Sequence, residues 1–154
     1  MVAEKKEFLI YIREIKKYVE LQKMLTKYIQ HGKTNVYIHS RNVAYLSYLM
    51  ARFFERKFKF KINYDELVVG AMFHDFFLYD WHDGVKREGL HGFNHPKIAS
   101  INAEKYFKIN EKQKEIIETH MWPLTITKFP KSIEAKIVCI ADKWCSAKET
   151  IQRF

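Results

Sequence analysis

A chain of 154 residues, 47% apolar and 16% aromatic, is long enough to bury a core of its own, and its composition excludes a disordered or low-complexity protein. Its 27 Lys and Arg against 18 Asp and Glu leave a net charge of +9, which favours anionic ligands without naming one. No apolar run reaches the roughly 20 residues that span a bilayer, so a membrane partner is not expected.

The N-terminal "FLIYI" is too short for a signal peptide, and Arg13 and Glu14 follow it closely. Cys139 and Cys145 fit neither a CxxC motif nor a disulfide framework, so a cytoplasmic location is expected. With only 5 Gly and 3 Pro, long regular elements follow. One domain is expected over 1–154, with an N-terminal helix within 1–32 and a core over 35–150. Apolar spacing predicts a first helix over about 3–30, through Phe8, Ile12, Ile15 and Val19, stopped at His31-Gly32. A second runs from about Asn35 to Lys57, with Val36, His39, Val43, Leu46, Met50 and Phe53 on one stripe. Asn63 suits the N-cap of a third, with Glu66 three residues on and Leu67, Gly70, Ala71, His74 and Phe77 on one face. Residues 79–93 read as irregular. Pro96 suits the first turn of a fourth helix ending near Phe107. Asn110 caps a fifth that ends around "HMWP", and Ser132 opens a last one. The short alternation in "TITKF" makes no convincing strand, so the class is all-α.

Three of these helices carry polar groups on apolar faces. His39 lies between Val36 and Val43, His74 between Ala71 and Phe77, and Asp142 on the face of Ala135, Val138 and Cys145. Alone, His39 reads as a core histidine bonded to a backbone carbonyl. Asp142 is harder to place, because a buried carboxylate must be paired, protonated or metal-bound. Imidazoles with carboxylates and no thiolate suit divalent Fe, Mn, Zn or Mg. Neighbours on a helix diverge by about 100°, so His74 and Asp75 can share an ion only near a helix end.

The order of these residues, in "NVYIHSRNVA", "GAMFHDFF" and "IVCIADKWCS", resembles the HD-domain superfamily of metal-dependent phosphohydrolases over about residues 35–150. The resemblance implies an all-α HD-type domain of about six helices, with His39, His74, Asp75 and Asp142 as ligands of one ion. It further implies a six-ligand, two-metal type, in which Asp75 bridges the ions and His95 and His120 serve the second. Read without it, His95 and His120 are ordinary helix-end histidines. The family's lysine after the dipeptide, "HDxxK", is absent, and Leu78 stands there. Arg41, Lys97 and Lys143 are the candidates for substrate phosphate, and Lys86-Arg87 the loop alternative.

The resemblance implies one or two divalent ions, hydrolysis by a metal-activated water, and a small phosphorylated substrate, with a nucleotide favoured. Asp75 would orient the nucleophile, and His82 or His91 would protonate the leaving group. His82, His91, Asp80 and Asp83 read equally as polar loop residues. Two rivals stand beside this reading. One is a di-iron oxygenase, since some six-ligand members such as inositol oxygenase carry out that chemistry. The other is a non-catalytic module that binds a nucleotide or nucleic acid, which is less favoured because no regular basic–aromatic alternation is read in the chain.

Overall fold

The computed structural model describes residues 2–15, 25–31, 33–84 and 90–151. Six helices account for most of them: α1 (Val2–Ile15), α2 (Val36–Phe58), α3 (Tyr64–Phe73), α4 (His91–Phe107), α5 (Glu111–Thr119) and α6 (Ile133–Ile151). The expectation of an all-α protein of about six helices holds.

Two local expectations need correction. The first helix does not run to residue 30: β1 (Ile29–His31) pairs antiparallel with β2 (Thr34–Asn35) in a small hairpin. Thr, Tyr, Ile and His are weak helix formers, and here they build an extended segment that buries Gln30 between the more exposed Ile29 and His31. The fourth helix begins five residues before Pro96, at His91, without a side-chain cap to announce it. His91 and His95 therefore sit one turn apart on one face, their rings stacked at 4.5 Å.

The remaining caps follow the local chemistry. Asn35, Asn63 and Asn110 each accept a backbone N–H at the start of a helix, and Asn110 completes a capping box with Gln113. Ser132 Oγ accepts from Ala135 N at the entry to α6.

Helix α2 packs along α3 and α6, and α5 packs against α3, α4 and α6. Helix α1 lies on α2 through Phe8, whose ring is 5.1 Å from Tyr45 and 5.7 Å from Tyr48. An aromatic knot of Phe73, Phe76 and Phe107 joins the end of α3 to the end of α4. Gly70 is where α3 meets α5: a Cβ there would stand 2.7 Å from Ile116 Cγ2. These two helices both end at the molecule's centre, on His74 and His120, and their close crossing sets how near those rings come.

Candidate metal centre

Six buried side chains from five helices converge: His39 from α2, His74 and Asp75 from the end of α3, His95 from α4, His120 from the end of α5 and Asp142 from α6. His74 and His120 use the same device. Each is the C-cap of its helix, and each turns Nδ1 back onto a carbonyl three residues earlier, Ala71 and Ile117, at 2.7 Å. That satisfies a last-turn carbonyl and leaves Nε2 pointing out of the helix end. Because α3 stops at Phe73, the neighbouring Asp75 can face the same point as His74. His95 Nδ1 donates to the His91 carbonyl at 2.9 Å, and His39 Nδ1 lies 2.8 Å from Glu149 Oε2. All four rings are thus anchored through Nδ1 and present Nε2 inward.

Asp75 divides these four rings into two pairs. Its Oδ2 is 3.2 Å from His74 Nε2 and 3.6 Å from His39 Nε2. Its Oδ1 is 3.2 Å from His95 Nε2 and 3.6 Å from His120 Nε2. Asp142 Oδ1 joins the first pair, 3.2 Å from His39 Nε2 and 3.6 Å from His74 Nε2. The ligand atoms of His39, His74 and Asp142 lie within 4.8 Å of one another, and so do those of His74, Asp75 and His120, a group that draws on both pairs.

The donor set fits divalent cations. His95 and His120 place their Nε2 atoms 2.9 Å apart. A ring whose Nδ1 hydrogen is bonded to a carbonyl has, in its neutral form, a lone pair on Nε2, so neutral rings here would turn two lone pairs toward each other and toward Asp75 Oδ1. His74 Nε2 and Asp75 Oδ1 are buried with no hydrogen-bond partner. Such atoms are costly to leave unmatched, and a cation matches them all.

The titration behaviour carries the same message. Burial pulls His39 down, but its hydrogen bonds to Asp142 and Glu149 outweigh that and hold it at about 9. Burial acts on His74 likewise, and the charges of the adjacent Asp75 and of Asp142 hold it well above the usual histidine range. Asp75 and Asp142 would be raised by burial, yet the neighbouring imidazoles keep both well below the usual carboxylate range. His120 is driven down to about 3 by burial and by His74 and His95. The ion-free site therefore draws protons onto His39 and His74 to balance its carboxylates, while His120 stays neutral.

A cavity of about 730 Å³ opens beside Asp75, His95, His120 and Asp142. Trp81, Met121, Pro123 and Leu124 give it an apolar wall. His91 also lines it, with Nδ1 2.8 Å from the Tyr79 hydroxyl and its ring stacked 5.0 Å from Trp81. His82 is not at the wall: it is exposed, 3.4 Å from Asp80 and tilted against the Trp81 ring at 3.7 Å. Arg41 is exposed and lines a separate groove with Lys5, Phe8 and Tyr45. Lys97 is exposed on α4 and is not among the residues lining the cavity. Lys143 does reach the cavity, but its ammonium is taken by the His120 carbonyl at 2.8 Å and by the carbonyl and Sγ of Cys139, each at 3.2 Å. Asp80 accepts from His82 N and Asp83 is exposed. Lys86 and Arg87 lie outside the described residues.

Three further residues of the site, Glu149, Gln30 and His31, are not among the sequence candidates. Glu149 orients His39, and its place two turns after Asp142 on α6 was the available signal. Gln30 donates to Asp75 Oδ2, and His31 lines the cavity with its ring 5.3 Å from His39. The sequence marks His31 only as a helix end, and nothing in the local pattern announces the hairpin that brings both residues in.

An all-α domain built around a buried His/Asp centre suited to divalent ions is the class that this geometry defines. Residues 36–146 match the HD domain model, and the chain belongs to the HD domain family. Comparison with curated proteins and with solved structures finds no match. Members of this family bind divalent metals, and most are metal-dependent hydrolases.

Proposed function

We propose that the chain is a metal-dependent phosphohydrolase acting on a small phosphorylated compound, with a nucleotide as the favoured class. The observation that carries this reading is Asp75, which has one carboxylate oxygen toward His39 and His74 and the other toward His95 and His120. His39, His74, Asp75 and Asp142 would hold one ion, and Asp75, His95 and His120 a second. Bound there, such ions activate water as a nucleophile and offset charge on the phosphoryl oxygens.

The chain's own residues supply the rest. Asp75 orients the nucleophile from the floor of the cavity. His91, positioned by Tyr79 and Trp81, takes the role of proton donor to the leaving group, because His82 lies off the cavity wall. The apolar wall of Trp81, Met121, Pro123 and Leu124 excludes water and accepts the body of the substrate. The nucleotide class rests on this wall, on the family and on the net charge of +9. Lys143 acts as a clamp on the end of α5 and not as a phosphate ligand.

The test is a phosphate-release screen over nucleotides and simple phosphomonoesters, run on metal-loaded protein with and without oxygen. Hydrolysis independent of oxygen is expected, and Asp75→Ala should lower it at least about a hundredfold with the helical circular dichroism retained. Oxygen uptake coupled to substrate loss, or full turnover by Asp75→Ala, overturns the assignment.

A further inference from the structure

Gln30 is an unusual residue to find beside the centre. Its side chain is 5% exposed, its Nε2 donates to Asp75 Oδ2 at 2.5 Å, and its Oε1 is buried without a partner. Glutamine is rarely buried so fully, and an unmatched amide oxygen destabilises the fold. Gln30 comes from the hairpin, outside the residues 36–146 that match the family. Among the described residues, Gln30 is the one donor other than the imidazoles that reaches the Asp75 carboxylate. Once those imidazoles turn their lone pairs to ions, no ring hydrogen is left to fix the rotation of that carboxylate.

We propose that Gln30 is a positioning residue of the metal centre: it holds the Asp75 carboxylate so that each oxygen faces one imidazole pair, and thereby sets how tightly ions are held. This rests on the metal reading of the site. The experiment is chelator competition with Mn(II), Co(II) and Zn(II) on the whole chain, wild type against Gln30→Met and Gln30→Ala, with melting temperatures of the ion-free and loaded forms. Gln30→Met keeps the bulk and removes both polar atoms. Its ion-free form should melt no lower than wild type, while its metal affinity falls about 10–100-fold. Wild type that takes up no ion overturns the metal reading and this one with it. Wild type that loads while both variants load equally tightly overturns the role of Gln30 alone. So does an equal loss of stability with and without ions, which marks a merely structural residue.

The C-terminal end of α2 carries an independent feature. From Lys57 the chain alternates strictly: Lys57, Phe58, Lys59, Phe60, Lys61. The expectation that no basic–aromatic alternation exists is therefore wrong at this stretch. Phe53, Phe58 and Phe60 are 48%, 49% and 44% exposed. Among the described residues the ion pairs at this end engage Arg52 and Arg56, and none engages Lys57, Lys59 or Lys61. We propose that this patch docks the protein on an anionic lipid surface. Unpaired lysines meet the headgroup charge, and half-exposed phenyl rings enter the boundary beneath it. Single-stranded nucleic acid is the less suitable occupant, because stacking needs free ring faces. Phe58 is stacked on Phe60 at 5.9 Å and tilted against Phe54 at 5.9 Å, and Lys57 Nζ lies 5.4 Å over both Phe53 and Phe58.

Co-sedimentation with vesicles of phosphatidylcholine, alone or mixed with phosphatidylglycerol, tests it. Salt-sensitive binding to the mixed vesicles alone is expected. Replacing Lys57, Lys59 and Lys61 by Gln should weaken it about a hundredfold, roughly fivefold each. Phe58→Ser with Phe60→Ser should weaken it at least about tenfold at an unchanged melting temperature. No binding, equal binding to both vesicles, or oligonucleotide binding that the Phe replacements abolish overturns the proposal.

Discussion

Glu149 accepts from His39 Nδ1 and from Asn42 Nδ2, and burial, which would raise its carboxyl, is outweighed by the His39 hydrogen bond. A carboxylate behind an imidazole fixes its tautomer and makes its far nitrogen a better ligand. Glu149→Gln should therefore weaken metal binding about 10–100-fold, read by chelator competition. Unchanged affinity would show that His39 needs no such support. Cys145 makes a second case at this scale. Burial, with the charges of Glu149 and Asp142, pushes its thiol up to about 12, and burial raises Cys139 as well. Both thiols should resist a thiol reagent at about pH 8 in the native protein and react once it is unfolded. Rapid native reaction contradicts the buried placement of α6.

Among the elements, the crossing of α3 and α5 has the most direct consequence for the site. Gly70 lets the two helices approach, and their ends place the His74 and His120 rings 4.8 Å apart. Gly70→Ala forces a Cβ into Ile116, so a loss of about 1–3 kcal/mol is expected in urea unfolding. A neutral or stabilising result would mean that α5 shifts freely. The elements also show what was legible before folding. The asparagine caps, the apolar stripes, and the inward faces of His39, His74 and Asp142 follow from periodicity and local hydrogen bonding, which the sequence records. The start of α4 is not legible, because Leu90 offers no side-chain cap and Pro96, a residue suited to a first turn, stands five residues into the helix. The hairpin was missed because Gln30 and His31 gain their meaning from Asp75 and His39, which are remote in sequence. The engagement of Lys143 is equally hidden, since its partner, the His120 carbonyl, is another long-range contact.

At the level of the whole molecule, the centre couples stability to pH. His39 is raised to about 9 and His74 is raised too, so without ions their contribution is full below about pH 6.5 and is lost as pH rises through 9. Asp75, Asp142 and Glu149 are lowered, so their contribution is present above about pH 4 and is lost on acidification. His120 works the other way: lowered to about 3, it resists the proton that the unfolded chain takes up below about pH 6.5, so the ion-free protein should melt highest near pH 6.5, and lower at pH 9. Ions reverse the upper limb, since they displace the protons of His39 and His74 and bind better as pH rises. A melting temperature of the ion-free protein that climbs steadily to pH 9 would contradict these assignments. The most direct measurement is metal content after gentle purification, followed by titration of the stripped chain with Mn(II) or Fe(II). Two ions per chain are expected, falling to one or none in Asp75→Ala. A wild-type chain that binds no divalent ion would contradict the centre itself.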